Sequence, residues 1–212
     1  CGSTLVANQL ASFWPGHTRV YSESAPPVHA IQACGDDKQE NKAISSCDPE
    51  KHQQLIRDVF YLMGRREQSS SPQYTFFKIQ SIGTLAIEKF TRAMPDTPWF
   101  FLYRDSVEVL MSHLLNNSSS KNKNAVCARA MGKSIQQQPQ VVQAILKEHN
   151  RTMDSLDMTE YCAIHLAGLA TTALQEHERT KLGRFVNYNQ LPGIMWDKIL
   201  PDYVGIGPLE DD

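Results

Sequence analysis

The chain has 212 residues, 41% of them hydrophobic, with 21 Lys plus Arg against 23 Asp plus Glu for a net charge of −2. That length and apolar content suit one well-cored domain over 1–212, and the balanced charge argues against a nucleic-acid or membrane-surface binder. No apolar run approaches the ~20 residues that cross a bilayer, and no signal-peptide pattern is present.

In chain order, Leu5, Val6, Leu10 and Phe13 recur at helical spacing and predict a helix from Ser3 to about Phe13. "GHTRVYSES" reads as a short strand near 19–22 between turns, and "APPVHAIQA" as a short helix with proline at its start. After a polar loop, Asp48-Pro49 opens a helix that Gly64 closes. "YTFFKIQ" is an aromatic strand, and "IGTLAIEKFTRAM" an amphipathic helix stopped by Pro95. "PWFFLYR" is almost continuously apolar, the pattern of a strand buried on both faces of a parallel sheet. "DSVEVLMSHLL" follows as a helix capped by Asp105 or Ser106, then a loop over 116–124. A helix after Pro139, a long one over "TEYCAIHLAGLATTALQEH", the strand "GRFVNYNQL" and the short helix "PGIMWDKIL" complete the chain. Strands alternating with longer helices define an α/β class with a mainly parallel sheet, whose ligands bind beyond the carboxyl ends of the strands.

The five cysteines, Cys1, Cys34, Cys47, Cys127 and Cys162, include no CxxC pair, and an odd count leaves at least one thiol free in a monomer. Cys34 and Cys47 flank a polar loop that an oxidising compartment can bridge, but reduced loop cysteines are the expectation. Asn116, Asn117 and Asn150 begin glycosylation sequons, triplets that also arise by chance. Cytoplasm and Golgi lumen both stay open.

Four polar features fall at strand ends: the opening turn Gly2-Ser3-Thr4, Glu23, Lys78 and Arg104. A Gly-Ser-Thr turn running into a helix offers free N–H groups, hydroxyls and the positive end of the helix dipole to an oxyanion. Arg104 supplies a planar fork suited to phosphate, and Ser112 follows eight positions later, two turns into the next helix.

In type and spacing, Arg104 and Ser112 resemble the pair that grips the 3′-phosphate in the P-loop sulfotransferase family, which uses 3′-phosphoadenosine 5′-phosphosulfate as co-substrate. Cys1, Gly2, Ser3 and Thr4 resemble the last positions of that family's 5′-phosphosulfate loop. Lys78 resembles the lysine near the bridging oxygen, and Tyr188 a late-strand tyrosine that contacts the adenine. The resemblance runs from residue 1 to roughly 206. It implies a three-layer P-loop fold of the sulfotransferase type and transfer of a sulfuryl group to a hydroxyl of a carbohydrate or small molecule, without a metal. Departures are Ser106 where the family has proline, Gln80 where cytosolic members carry a catalytic histidine, and no C-terminal Arg-Lys-Gly segment. The family's basic loop residue would precede Cys1, so the chain reads as a fragment lacking its first strand, with a gap expected in its sheet.

In-line sulfuryl transfer needs a stabilised leaving oxygen and a base for the attacking hydroxyl. Lys78 and the turn's N–H groups suit the first task. Glu23 is the expected base, since burial under a substrate favours the proton-accepting chemistry a base needs near neutrality. His29 and His113 are the fallbacks, and His29 and His165 read otherwise as packing residues. Acceptor recognition is expected from loops 34–48 and 116–138. Two other classes compete: a P-loop kinase, and a degenerate family member that binds a nucleotide or partner without turnover. Gly132-Lys133-Ser134 resembles a nucleotide-loop tail, but Cys127 stands where that loop needs glycine, so it reads as a helix end.

Overall fold

The computed structural model describes residues 2–13, 17–34, 47–65, 74–115 and 126–207. Helix α1 (Ser3–Phe13) buries Val6, Ala7 and Leu10 along one stripe and leads to strand β1 (Thr18–Ser22). Two helices follow, α2 (Ala25–Gln32) and α3 (Pro49–Gly64). Asp48 caps α3, its Oδ1 accepting from the N–H groups of Glu50 and Lys51 at 2.9 and 3.3 Å. Strand β2 (Tyr74–Lys78) passes through a 3₁₀ segment, Ser81–Ala86, into α4 (Ile87–Ala93). Strand β3 (Trp99–Tyr103) precedes α5 (Ser106–Leu115), capped by Asp105. Helices α6 (Val126–Met131), α7 (Gln140–Glu148) and the 23-residue α8 (Met158–Thr180) lead to β4 (Gly183–Asn187). A π-type helix, α9 (Met195–Val204), closes the described chain.

Among the described residues the strands form two small parallel pairs. β1 lies beside β2, from Thr18↔Tyr74 to Ser22↔Lys78, and β3 beside β4, from Trp99↔Gly183 to Tyr103↔Asn187. Each pair has open backbone along its outer sides among the described residues, yet both rest on one core. Val6 and Leu10 of α1, Val186 of β4 and Met195, Ile199 and Leu200 of α9 form its centre, with Val20, Phe76, Phe100 and Leu102 packed against it. The architecture is therefore mixed α/β, small parallel sheets with flanking helices.

Burial on both faces of β3 does not hold. Trp99 is buried, but Phe100, Phe101 and Leu102 are half-buried and Tyr103 is 42% exposed, and among the described residues β3 has one strand neighbour, β4. Gly183 sits where a Cβ would meet the Trp99 indole at 2.4 Å, so the start of this pair needs glycine.

A second core lies among α6, α7 and α8, where Cys127, Val142, Tyr161 and Cys162 are fully buried. A third joins α2, α3 and α4 through Ile31, Ile56 and Phe60. Buried Glu176 of α8 accepts from Thr91 of α4 and from Arg179, pinning those helices together.

The cysteine expectation is overturned. Cys34 is bonded to Cys47, joining the end of α2 to the cap of α3, and Cys127 is bonded to Cys162, joining α6 to α8. The second bridge has no signature in spacing, since 35 positions separate its partners and only the packing of two helices brings them together.

Candidate functional site

The turn after β1 places Glu23 in the left-handed region at φ 55°, a costly conformation for a residue with a Cβ. Its N–H donates to the Lys78 carbonyl at 2.8 Å, tying that turn to the end of β2. Its carboxylate Oε1 then lies 2.6 Å from Lys78 Nζ. The lysine side chain is only 12% exposed, whereas that of Glu23 is 43% exposed. Lys78 Nζ also donates to Thr4 Oγ1 at 3.1 Å, linking the β2 end to the first turn of α1.

At the head of α1, Gly2 has φ 79°, and a Cβ there would lie 2.3 Å from the Tyr188 ring. Only glycine lets the turn sit against that ring without displacing it. The Val6 N–H closes the first helical bond on the Gly2 carbonyl at 3.1 Å, so the N–H groups of Ser3, Thr4 and Leu5 precede the intrahelical ladder. Tyr188 follows β4, and the guanidinium carbon of Arg104, at the end of β3, stands 4.7 Å from its ring centroid. Arg104 Nε donates to the Glu108 carboxylate, and that bond raises the arginine's pKa above its already high ordinary value.

The result is one continuous chain of contacts at the carboxyl ends of all four strands: Glu23, Lys78, Thr4, Gly2, Tyr188, Arg104. Ser3 neighbours it on the same turn. Ser112 is not brought in; it stands exposed two turns along α5, while Arg104 turns to Glu108 and Tyr188. Tyr188 acts here as a seat for Arg104 and a wall for Gly2, so one face of its ring is already taken. Glu23, the expected base, is held in its ion pair with Lys78. Glu108 was missed, although its position four residues after Arg104 on a helix marks it as a partner.

The fallback bases lie elsewhere in the fold. His29 is exposed in the last turn of α2. His113 is half-buried, with Nδ1 3.3 Å from Cys127 Sγ, and burial lowers its pKa. His165 is buried against Tyr161 with neither ring nitrogen hydrogen-bonded, and burial again lowers its pKa. His165 is thus a packing residue, as expected. Gly132-Lys133-Ser134 follows the end of α6, so it is the helix terminus the sequence suggested.

Two concave spaces lie away from the strand-end cluster. One cavity of about 720 Å³ is lined by Ala33, Cys34, Asp48, Lys51, His52 and Leu55, and one of about 410 Å³ by Ile145, His149, Arg151 and Glu160. The strand-end cluster itself forms a ledge of polar groups along the carboxyl ends of the strands. Of the expected acceptor loops, residues 35–46 and 116–125 lie outside the described residues. Among the described residues, no three His, Cys, Asp or Glu side chains are grouped to hold a metal ion, and no helix is long and apolar enough to cross a membrane.

Chemically, the ledge offers two cationic groups, Lys78 and Arg104, separated by a helix N-terminus and a glycine-floored backbone. Each cation already has a carboxylate partner, Glu23 for Lys78 and Glu108 for Arg104. Comparison of the chain with protein-family models, with curated proteins and with solved structures finds no match.

Proposed function

We propose that the chain is a sulfotransferase of the P-loop type, moving a sulfuryl group from 3′-phosphoadenosine 5′-phosphosulfate to a hydroxyl of a carbohydrate or small-molecule acceptor. The single observation that supports this reading is the convergence of Gly2, Thr4, Lys78, Glu23, Arg104 and Tyr188 at the carboxyl ends of the strands. The donor set fits the co-substrate. The turn Gly2-Ser3-Thr4 and Lys78 would hold the 5′-phosphosulfate, Arg104 the 3′-phosphate and Tyr188 the adenine. The co-substrate supplies the activated sulfuryl group.

Lys78, largely shielded from water and held by Thr4, presents its ammonium where charge builds on the leaving oxygen. Glu23 takes the proton of the attacking hydroxyl, its carboxylate kept at the ledge by its own strained turn. An arriving anion competes with Glu23 for Lys78, which frees the carboxylate for that task. The kinase alternative loses its only loop candidate, since Gly132-Lys133-Ser134 follows a helix rather than a strand. Non-catalytic nucleotide binding is the second reading, favoured by one observation: Ser112 does not join Arg104.

Calorimetry of the full-length protein with adenosine 3′,5′-bisphosphate and with ATP tests the proposal. A clear preference for the bisphosphate supports it, and equal or reversed preference rejects it. Sulfuryl transfer to any hydroxyl acceptor then separates the enzyme from the non-catalytic binder.

A further inference from the structure

Four of the five cysteines are paired in two bridges whose Cα atoms stand 5.7 and 5.2 Å apart. The Cys127–Cys162 pair is fully buried in the helical core, out of reach of reductant in the folded protein. Two bridges built into helix packing are the mark of a chain that folds where thiols are oxidised, since cytosolic thiols are kept reduced.

A second, independent feature needs the same compartment. Asn150-Arg151-Thr152 is a glycosylation sequon in the turn that ends α7. Asn150 is exposed and takes the left-handed conformation, φ 51°, that asparagine tolerates best among residues with a Cβ. The turn is fixed from its backbone side. The Asn150 N–H donates to the Lys147 carbonyl at 3.2 Å and the Arg151 N–H to the Leu146 carbonyl at 2.9 Å. The Arg151 guanidinium is drawn away to Glu160 and to the Ser155 carbonyl, each at 2.8 Å. Among the described residues the Asn150 carboxamide has no hydrogen-bond partner, and Thr152 beside it is exposed. A hydrogen-bonded surface turn thus presents the exposed Asn150 carboxamide two positions before the exposed Thr152.

We infer that the protein matures in an oxidising, glycosylating lumen and carries an N-linked glycan on Asn150. Each cysteine pair gives up two protons and two electrons to a thiol–disulfide oxidant, forming the S–S bond. At Asn150, the amide nitrogen bonds to C1 of a lipid diphosphate-linked oligosaccharide. The C1–O bond to the diphosphate breaks, the lipid diphosphate leaves, and one amide proton is lost. Neither step depends on the sulfotransferase reading.

Peptide mass spectrometry of the full-length gene product, purified from eukaryotic cells after thiol blocking, tests both halves. Peptides bearing Cys127 and Cys162 should be joined until reduced. The Asn150 peptide should carry sugar that peptide N-glycosidase removes, leaving aspartate. Asn150→Asp, which keeps a residue tolerant of the left-handed turn, should abolish the glycan completely, and Thr152→Ser should retain it. Blocked, unlinked thiols at Cys127 and Cys162, or an unmodified Asn150 in the wild-type protein, would overturn the inference.

Discussion

The strand-end ledge and the helical core of α6, α7 and α8 are built on opposite terms. The ledge carries strained backbone at Gly2 and Glu23, exposed strand flanks and charged groups that meet through single contacts. The helical core has Cys127, Val142, Tyr161 and Cys162 without measurable exposure, a covalent cross-link, and Tyr161 Oη donating to Gln138 at 2.6 Å. One region gathers polar groups at the expense of local stability; the other is sealed inside and carries stability in its packing and its cross-link. The two can be perturbed separately, and the perturbations should have different signatures.

The largest effect belongs to the sealed region. Closing a loop of 35 residues with Cys127–Cys162 stabilises the fold by about 4 kcal/mol in the chain-entropy account. The double substitution Cys127→Ala and Cys162→Ala should lower unfolding free energy by that order in denaturant titrations. Affinity of the folded protein for adenosine 3′,5′-bisphosphate should stay within a few-fold. If affinity falls in step with stability, the two regions are one cooperative unit and the contrast fails.

Next come the two cations of the ledge, where the signature reverses. Arg104→Ala should weaken the bisphosphate by about 2–4 kcal/mol while barely changing adenosine 5′-phosphate, which lacks the group Arg104 is assigned to hold. Lys78→Ala should leave affinity within a few-fold and lower turnover at least about a hundredfold, since its contribution is made to the leaving oxygen in the transition state. Both should leave unfolding free energy nearly unchanged. Equal losses for the two nucleotides on Arg104→Ala would remove the 3′-phosphate assignment.

What was legible in the sequence divides along the same line. Helices with a clear apolar stripe and a capping residue were readable, as at Asp48-Pro49 and Asp105, because these signals are local. The strand ends were readable as well, since a polar residue closing an apolar run is local too; this located Lys78 and Arg104. What stayed hidden depends on chain geometry. The left-handed turn at Glu23 carries no glycine to announce it. The contact between Gly2 and Tyr188 joins opposite ends of the chain. Cys127 meets Cys162 only after two helices pack.

A smaller effect tests the sealed region through pH. Burial lowers the pKa of His165, with a further lowering from His113, and burial likewise lowers that of His113 beside Cys127. With the folded value below the unfolded one, the unfolded chain binds more protons in the interval between them. Stability is therefore full above the unfolded value, near 6.5, and falls as the solution is acidified. Each histidine contributes a slope of no more than about 1.4 kcal/mol per pH unit. His165→Leu forfeits no hydrogen bond, because neither ring nitrogen makes one. It should flatten the acid slope by up to one proton in denaturant titrations between about pH 7 and pH 5. An unchanged slope would mean that His165 is protonated in the folded protein, and the core is wetter than its burial indicates.

The smallest effect falls on the one residue the ledge does not gather. Ser112 is exposed, two turns from the Arg104 end of α5, and the guanidinium faces Glu108 and Tyr188 instead. If the 3′-phosphate lies along α5 when bound, the Ser112 hydroxyl donates one hydrogen bond to it, and Ser112→Ala should cost about 1 kcal/mol of bisphosphate affinity. That loss should vanish in an Arg104→Ala background, because the phosphate is then no longer held over the helix. A double-mutant cycle read by calorimetry measures this coupling directly. Additive losses, or no loss on Ser112→Ala alone, would make Ser112 a plain surface residue. The 3′-phosphate site would then rest on Arg104 and the groups around Tyr188.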